Sequence, residues 1–154
     1  IQTYIIEPEL FNSKEAFDRE LISIINQNGA ELIVLAGYMR VLTPLFVSNY
    51  FGKILNIHPS LLPKFPGLNT HQKAIDASEK IHGTSVHFVT DKLDGGPIII
   101  QESISIEAED TVITLSAKIL KKEHVIFPKA IHWYTQRRLK LINNLTATLD
   151  GKII

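Results

Sequence analysis

The sequence predicts an α/β fold: an open mixed sheet, mostly parallel, flanked by helices. Three observations predict it. A continuous apolar run, Leu32 to Ala36, follows an amphipathic helical stretch, which is the order of a strand buried on both faces of a parallel sheet. A second apolar run, Ile54 to Ile57, is stopped by Pro59, Pro63, Pro66 and Gly67, which forbid regular structure directly after it. An alternating stretch, Gly83 to Asp91, is joined to Ile98-Ile99-Ile100 by the turn Lys92 to Pro97, so these two strands are expected to pair antiparallel.

A chain of 154 residues with 45% hydrophobic side chains fits a single domain, 1–154, with an ordinary core. Its 16 lysines and arginines balance 16 aspartates and glutamates, so no net field draws it to nucleic acid or to an anionic membrane, and an anionic substrate must be met by local groups. The absence of cysteine excludes disulfide and thiolate chemistry and fits a reducing cytoplasm. No apolar run approaches the roughly 18 residues that span a bilayer. The start, Ile1-Gln2-Thr3-Tyr4-Ile5-Ile6, has no initiator Met and no basic region before an apolar one, and it reads like the middle of a protein.

In chain order, Thr3 to Ile6 reads as a short strand ended by Pro8. A helix follows, with Asn12 and Glu15 at capping-box spacing, Phe11 packing back onto Ala16, and Phe17, Leu21, Ile24 and Ile25 on one face; Asn28-Gly29 stops it. With the strand Leu32 to Ala36 this makes a βαβ unit. Thr43-Pro44 is the N-cap and first residue of a short helix ending near Tyr50. After the central strand, a short helix covers about Thr70 to Ala77. The alternation in 83–91 places Thr84, Val86 and Phe88 on one face and Ser85, His87 and Val89 on a wetter one. Asp110 is positioned to cap a long helix from Thr111, with Val112, Leu115, Ile119 and Val125 inward and Pro128 ending or kinking it before a last turn through Trp133. A terminal hairpin is expected from Leu139 to Ile154, around Asn143-Asn144 and Asp150-Gly151.

The stretch that carries chemistry is Asn56-Ile57-His58. An amide and an imidazole stand at the end of a buried strand, where open α/β sheets hold their ligand crevice. The Asp94-Gly95-Gly96 turn can bring a carboxylate to the same sheet edge, although a bare Asn-x-His tripeptide also occurs where it only satisfies loop backbone. His87, on the wetter strand face, is a second candidate. His71, His82, His124 and His132 fall on predicted helices or in loops and are expected to be solvated or packed. Without a His-x-x-x-His pattern or a cysteine pair, no metal site is expected.

Asn56-Ile57-His58-Pro59-Ser60, continuing through Lys64-Phe65-Pro66-Gly67-Leu68, then Gly83-Thr84-Ser85-Val86-His87-Phe88-Val89 and Leu93-Asp94-Gly95-Gly96-Pro97, resembles the folate-dependent formyltransferases and, among them, those acting on glycinamide ribonucleotide. The resemblance covers nearly the whole chain. Pro59-Ser60 after His58 argues against the formyltetrahydrofolate deformylases, in which a second histidine commonly follows the first. What the resemblance implies is a Rossmann-like formyltransferase fold and transfer of a formyl group from 10-formyltetrahydrofolate to the amine of glycinamide ribonucleotide in purine biosynthesis. Catalysis falls to Asn56, His58 and Asp94: an amide donor and a cationic imidazole stabilise the oxyanion of the transition state, and the carboxylate favours and orients the imidazolium.

The folate is implied to lie against Met39, Arg40, Val41 and Leu42, with Asn56 at the formyl end and Thr90, Asp91, Lys92, Leu93 and Asp94 as the turn beside it. Lys14 stands near the folate's outer end, where the family often has Arg, a swap that keeps the charge and loses the planar fork. Leu120, Lys121, Lys122 and Glu123 match the ribonucleotide segment, with Leu120 at a usually polar position. The partners implied are small molecules only, with no nucleic acid, membrane or metal, and the protein is implied to be a cytoplasmic monomer or weak homodimer. The family begins with a strand and a Gly-rich phosphate loop that these residues do not contain, so the domain is expected to be N-terminally incomplete. A related formyltetrahydrofolate hydrolase and a catalytically impaired folate-binding fragment stay open as alternatives.

Overall fold

Helix α1 spans Lys14–Gln27 and is capped by Ser13, whose hydroxyl accepts from the Ala16 N–H at 3.1 Å. The expected Asn12–Glu15 box is therefore displaced by one residue, because a hydroxyl on the extended residue directly before the helix reaches the free N–H more easily. Phe11 meets Phe17 edge to face, at 5.5 Å between ring centroids, rather than Ala16. Asn28 and Gly29, the latter at φ +63°, stop the helix as expected. Thr3 to Ile6 forms no strand; this segment has no ladder partner and is tied down by a Tyr4 hydroxyl contact with the Asn28 side chain at 3.2 Å.

The computed structural model describes residues 1–154. Strands β1 (Ile33–Leu35), β2 (Ile54–His58), β3 (Ile81–Phe88) and β4 (Ile98–Ser105) form a sheet in the order β1-β2-β3-β4. The sheet is mixed: β1 pairs with β2 in parallel across the intervening α2 (Pro44–Asn49), whereas β2–β3 and β3–β4 are antiparallel. That crossover is the βαβ unit, in place of the one expected from the N-terminal segment. The three-residue β1 lies at the sheet edge and leaves Val34 40% exposed, so it is not buried on both faces. Thr43 caps α2 through Phe46 N–H with Pro44 in its first turn, as the sequence predicts.

Alternation along the strands sorts two cores onto the two faces. Leu55, Val86, Phe88 and Ile99 pack beneath Ile126, Phe127 and Ala130 of the long helix α4 (Val112–Thr135). Ile54 points the other way and joins Phe46 and Tyr50, against which Leu21, Ile22 and Ile25 of α1 pack. Burial of side chains such as Leu55 and Phe88, both 0% exposed, stabilises each by roughly 1.5–3 kcal/mol. The expected wetter face of β3 is dry: Ser85 is buried under the Ser60 and Leu62 backbone, and His87 is buried beside Asn56 and Asp94. His82 belongs to this strand, not to a helix or loop.

Thr111, not Asp110, caps α4, in a reciprocal box with Thr114, while Asp110 accepts from Thr114 and from Lys118. Pro128 stands inside this continuous helix on an exposed face and does not end it, and Val125 points outward. The terminal hairpin is a three-stranded meander, β5 (Leu139–Asn143), β6 (Thr146–Leu149) and β7 (Lys152–Ile153), whose Leu139 and Ala147 close the α4 core. No helix is long and apolar enough to cross a membrane.

Candidate active site

Antiparallel pairing of β2 with β3 sets Asn56 directly opposite His87 and His58 opposite Ser85. Paired residues share a face, so Asn56 and His87 project together into the space beside the strand ends. His87 is 2% exposed, and its Nδ1 lies 2.8 Å from the carbonyl of Phe88, which only accepts; Nδ1 therefore carries the proton. Nε2 is left with a lone pair, to which the Asn56 amide donates at 3.1 Å. Burial pushes the pKa of His87 down and keeps this tautomer neutral, against the opposing pull of the Phe88 carbonyl and Asp94. One amide N–H and the carbonyl oxygen of Asn56 remain without a protein partner on the cavity wall.

His58 ends β2. Its Nε2 lies 2.9 Å from the Phe65 carbonyl and its Nδ1 3.5 Å from Asp94 Oδ2. Both neighbours are acceptors, an arrangement suited to an imidazolium with an N–H on each nitrogen. Asp94 sits at φ +47° in the turn before Gly95, and its Oδ2 also accepts from the Gly67 N–H at 2.8 Å. Its Oδ1 lies 3.7 Å from His87 Nε2 and has no donor within hydrogen-bond distance. Sequence spacing alone could not bring Asp94 to His58; the turn and the Phe65–Gly67 backbone do so together.

These groups line a cavity of about 630 Å³. Leu35, Leu42, Val47 and Val89 give it apolar walls; Met39, Arg40 and Val41 line one side and Thr90, Asp91, Lys92 and Leu93 another. Lys14 lies in an adjoining recess of about 330 Å³ with Asp18, Tyr38 and Arg40, so two cations flank the outer end. Glu123 reaches the main cavity, with its carboxyl 3.4 Å from the Thr84 hydroxyl and its pKa raised chiefly by burial. Leu120, Lys121 and Lys122 line neither space; α4 turns them away, and Lys122 pairs with Glu102 at 3.4 Å.

Sequence reasoning missed several contributors. His71 lines the cavity and its Nδ1 lies 3.0 Å from His82 Nε2. The Phe65 carbonyl and Gly67 N–H are backbone groups that no motif announces. No group of three or more His, Cys, Asp or Glu side chains has the geometry to hold a metal ion.

Asn56, His58 and Asp94 thus meet at the strand ends of a mixed α/β sheet, on the wall of a partly apolar cavity. A family model described as formyl transferase matches residues 1–131, and the chain belongs to that family. It is 49% identical over 152 residues to the phosphoribosylglycinamide formyltransferase of Escherichia coli K12, an alignment covering 99% of this chain and 71% of that protein. With the Haemophilus influenzae protein of the same name the identity is 46% over 144 residues, covering 94% of this chain and 68% of that protein. Among solved structures, the phosphoribosylglycinamide formyltransferase of Coxiella burnetii superposes with a TM-score of 0.89 at 48% identity, over 95% of this chain and 68% of that one.

Proposed function

We propose that the protein transfers a formyl group from 10-formyltetrahydrofolate to the amine of glycinamide ribonucleotide, a step of purine biosynthesis. The observation that carries this reading is the meeting of Asn56, His58 and Asp94 on the wall of one cavity with an unpartnered Asn56 N–H and an open Asp94 Oδ1. The cavity suits a folate: flat apolar walls at Leu35, Leu42, Val47 and Val89, a backbone-rich turn at Thr90 to Asp94, and Lys14 and Arg40 where an anionic tail would emerge. The folate supplies an electrophilic formyl carbon.

The chain's own residues do the rest. Asn56, held by His87, presents its free N–H to the oxygen on which charge develops, and a protonated His58 ring beside Asp94 adds positive charge. Because both His58 nitrogens face protein acceptors, His58 acts through charge and Asn56 through a hydrogen bond. Asp94 Oδ1 takes the proton that the attacking nitrogen loses and returns it to the departing nitrogen, so no proton is gained or lost overall. Glu123, with Thr84 behind it, is the group this chain offers to ribonucleotide hydroxyls. The protein acts on small molecules, and its lack of cysteine fits work in the cytoplasm.

The test is a product assay on the full-length protein with both substrates. Formylated glycinamide ribonucleotide, made only when the acceptor is present, is the expected result. Release of formate at the same rate with and without acceptor would overturn transfer in favour of hydrolysis, and binding of folate without turnover would reduce the protein to a folate carrier.

A further inference from the structure

The β-ladders place three residues in one row across the sheet: His58 on β2 faces Ser85 on β3, which faces Gln101 on β4. They share the face over which the 60–69 segment runs. Ser85, 0% exposed, donates from its hydroxyl to the Ser60 carbonyl at 2.6 Å and accepts from the Leu62 N–H at 3.0 Å and from Gln101 Nε2 at 2.7 Å. One donor and two lone pairs are all a hydroxyl has, so Ser85 is saturated. Gln101 Nε2 spends its second hydrogen on the Leu62 carbonyl at 3.0 Å. The amide orientation is fixed by chemistry: turned over, its oxygen would face a carbonyl that can only accept.

We propose that Gln101, outside the cavity and two strands from His58, is a positioning residue for the reaction: with Ser85 it bolts down the 60–69 segment whose Phe65 carbonyl and Gly67 N–H orient His58 and Asp94. The chain of contacts is short. Ser60 and Leu62 are held by Ser85 and Gln101; Ser60 Oγ donates to the Lys64 carbonyl at 2.6 Å; Phe65, the next residue, is held at φ +54° with its carbonyl on His58 Nε2. Two residues further, Gly67 donates to Asp94. Both partners of the His58–Asp94 pair thus hang from a segment fastened at its base by a side chain on the edge strand. Gln101 touches no group that lines the cavity with His58 and Asp94, which separates it from the residues that meet substrate.

The proposal rests on the transferase reading for its kinetic arm only. The experiment uses the full-length protein and Gln101→Glu, which keeps the shape and removes both donors, with Gln101→Met as a second variant that introduces no charge. Expected in both are a drop of about tenfold in single-turnover formyl transfer, from the loss of one to two hydrogen bonds, a folate dissociation constant within about twofold of wild type, and faster hydrogen exchange at the Gly67 amide while β2–β3 ladder amides keep their protection. Ser85→Ala combined with Gln101→Met should lose less than the product of the single losses, because both act through one bolt. Unchanged Gly67 exchange in both variants would overturn the proposal, as would a loss of ladder protection and folate binding in step with the rate, which marks a general structural role. If the wild-type protein transfers no formyl group, the proposed function fails, and Gly67 exchange alone then decides the role of Gln101.

Discussion

Asn56 and His87 face each other across the β2–β3 ladder, and the Asn56 amide donates to a His87 nitrogen 3.1 Å away. The side chain to which the proposed reaction gives the developing oxyanion is therefore aimed by a neutral, buried histidine. His87→Leu should leave the Asn56 amide free to rotate and lower the rate of the chemical step by roughly tenfold to a hundredfold, with folate binding nearly unchanged. His87→Gln, whose side-chain oxygen can still accept, should recover part of the loss. Single-turnover rates beside folate titrations check this; equal rates in the two variants would show that the acceptor atom at position 87 is irrelevant.

The proposed reaction gives Asp94 a catalytic duty beside its contact with Gly67, and one substitution separates the two. Asp94→Asn keeps an oxygen that can accept from Gly67 but loses the charge opposite His58 and the proton-accepting oxygen. Turnover should fall by roughly a hundredfold or more, while the Gly67 amide keeps its protection from exchange. Loss of that protection would assign Asp94 chiefly to holding the 60–69 segment.

Much of this was legible in the sequence, and what was not had a physical cause. Thr43-Pro44, Asn28-Gly29 and the Lys92–Pro97 turn are local signals, and each produced the element it announced. Asn56, His58 and Asp94 stood out less by themselves, since a bare Asn-x-His is a weak signal, than through the match of their motifs to the folate-dependent formyltransferases. The meeting of Asn56 with His87 depends on a cross-strand register that spacing cannot give. The dryness of Ser85 depends on the Ser60 and Leu62 backbone lying against it, and that of His87 on the approach of Asn56 and Asp94, tertiary facts that override alternation. Thr3 to Ile6 had strand propensity, but propensity without a ladder partner makes no strand.

The Asp94 turn also depends on a close backbone approach. A Cβ on Gly96 would fall on the Phe88 carbonyl oxygen, which lies at the end of β3. Gly96→Ala should therefore cost about 3 kcal/mol or displace the turn. Gly29→Ala meets no atom within 4 Å and pays only for its φ of +63°, about 1 kcal/mol. Urea unfolding of both variants compares them; equal losses would mean that the Phe88–Gly96 approach relaxes freely.

A final prediction concerns pH. His82 is 1% exposed and bonded to His71, and its pKa is held down to about 4, first by burial and then by the neighbouring His71 and His58. In the unfolded chain it titrates at its ordinary 6.5. The unfolded state therefore binds more protons between those values. The stability this neutral histidine contributes is complete above about pH 6.5 and is lost as pH falls towards 4, with a slope of up to about 1.4 kcal/mol per pH unit. His71 and His87, whose pKa values burial also lowers, add losses of the same sign. His82→Gln keeps a partner for His71 and cannot titrate, so the variant should be the less pH-sensitive protein, with the stability gap between the two narrowing or reversing under acid. Denaturant unfolding at several pH values on both sides of 6.5 measures this directly. If wild type and variant lose stability in parallel across that range, His82 takes up its proton at the same pH in the folded protein as in the unfolded chain, and burial beside His71 does not hold it neutral.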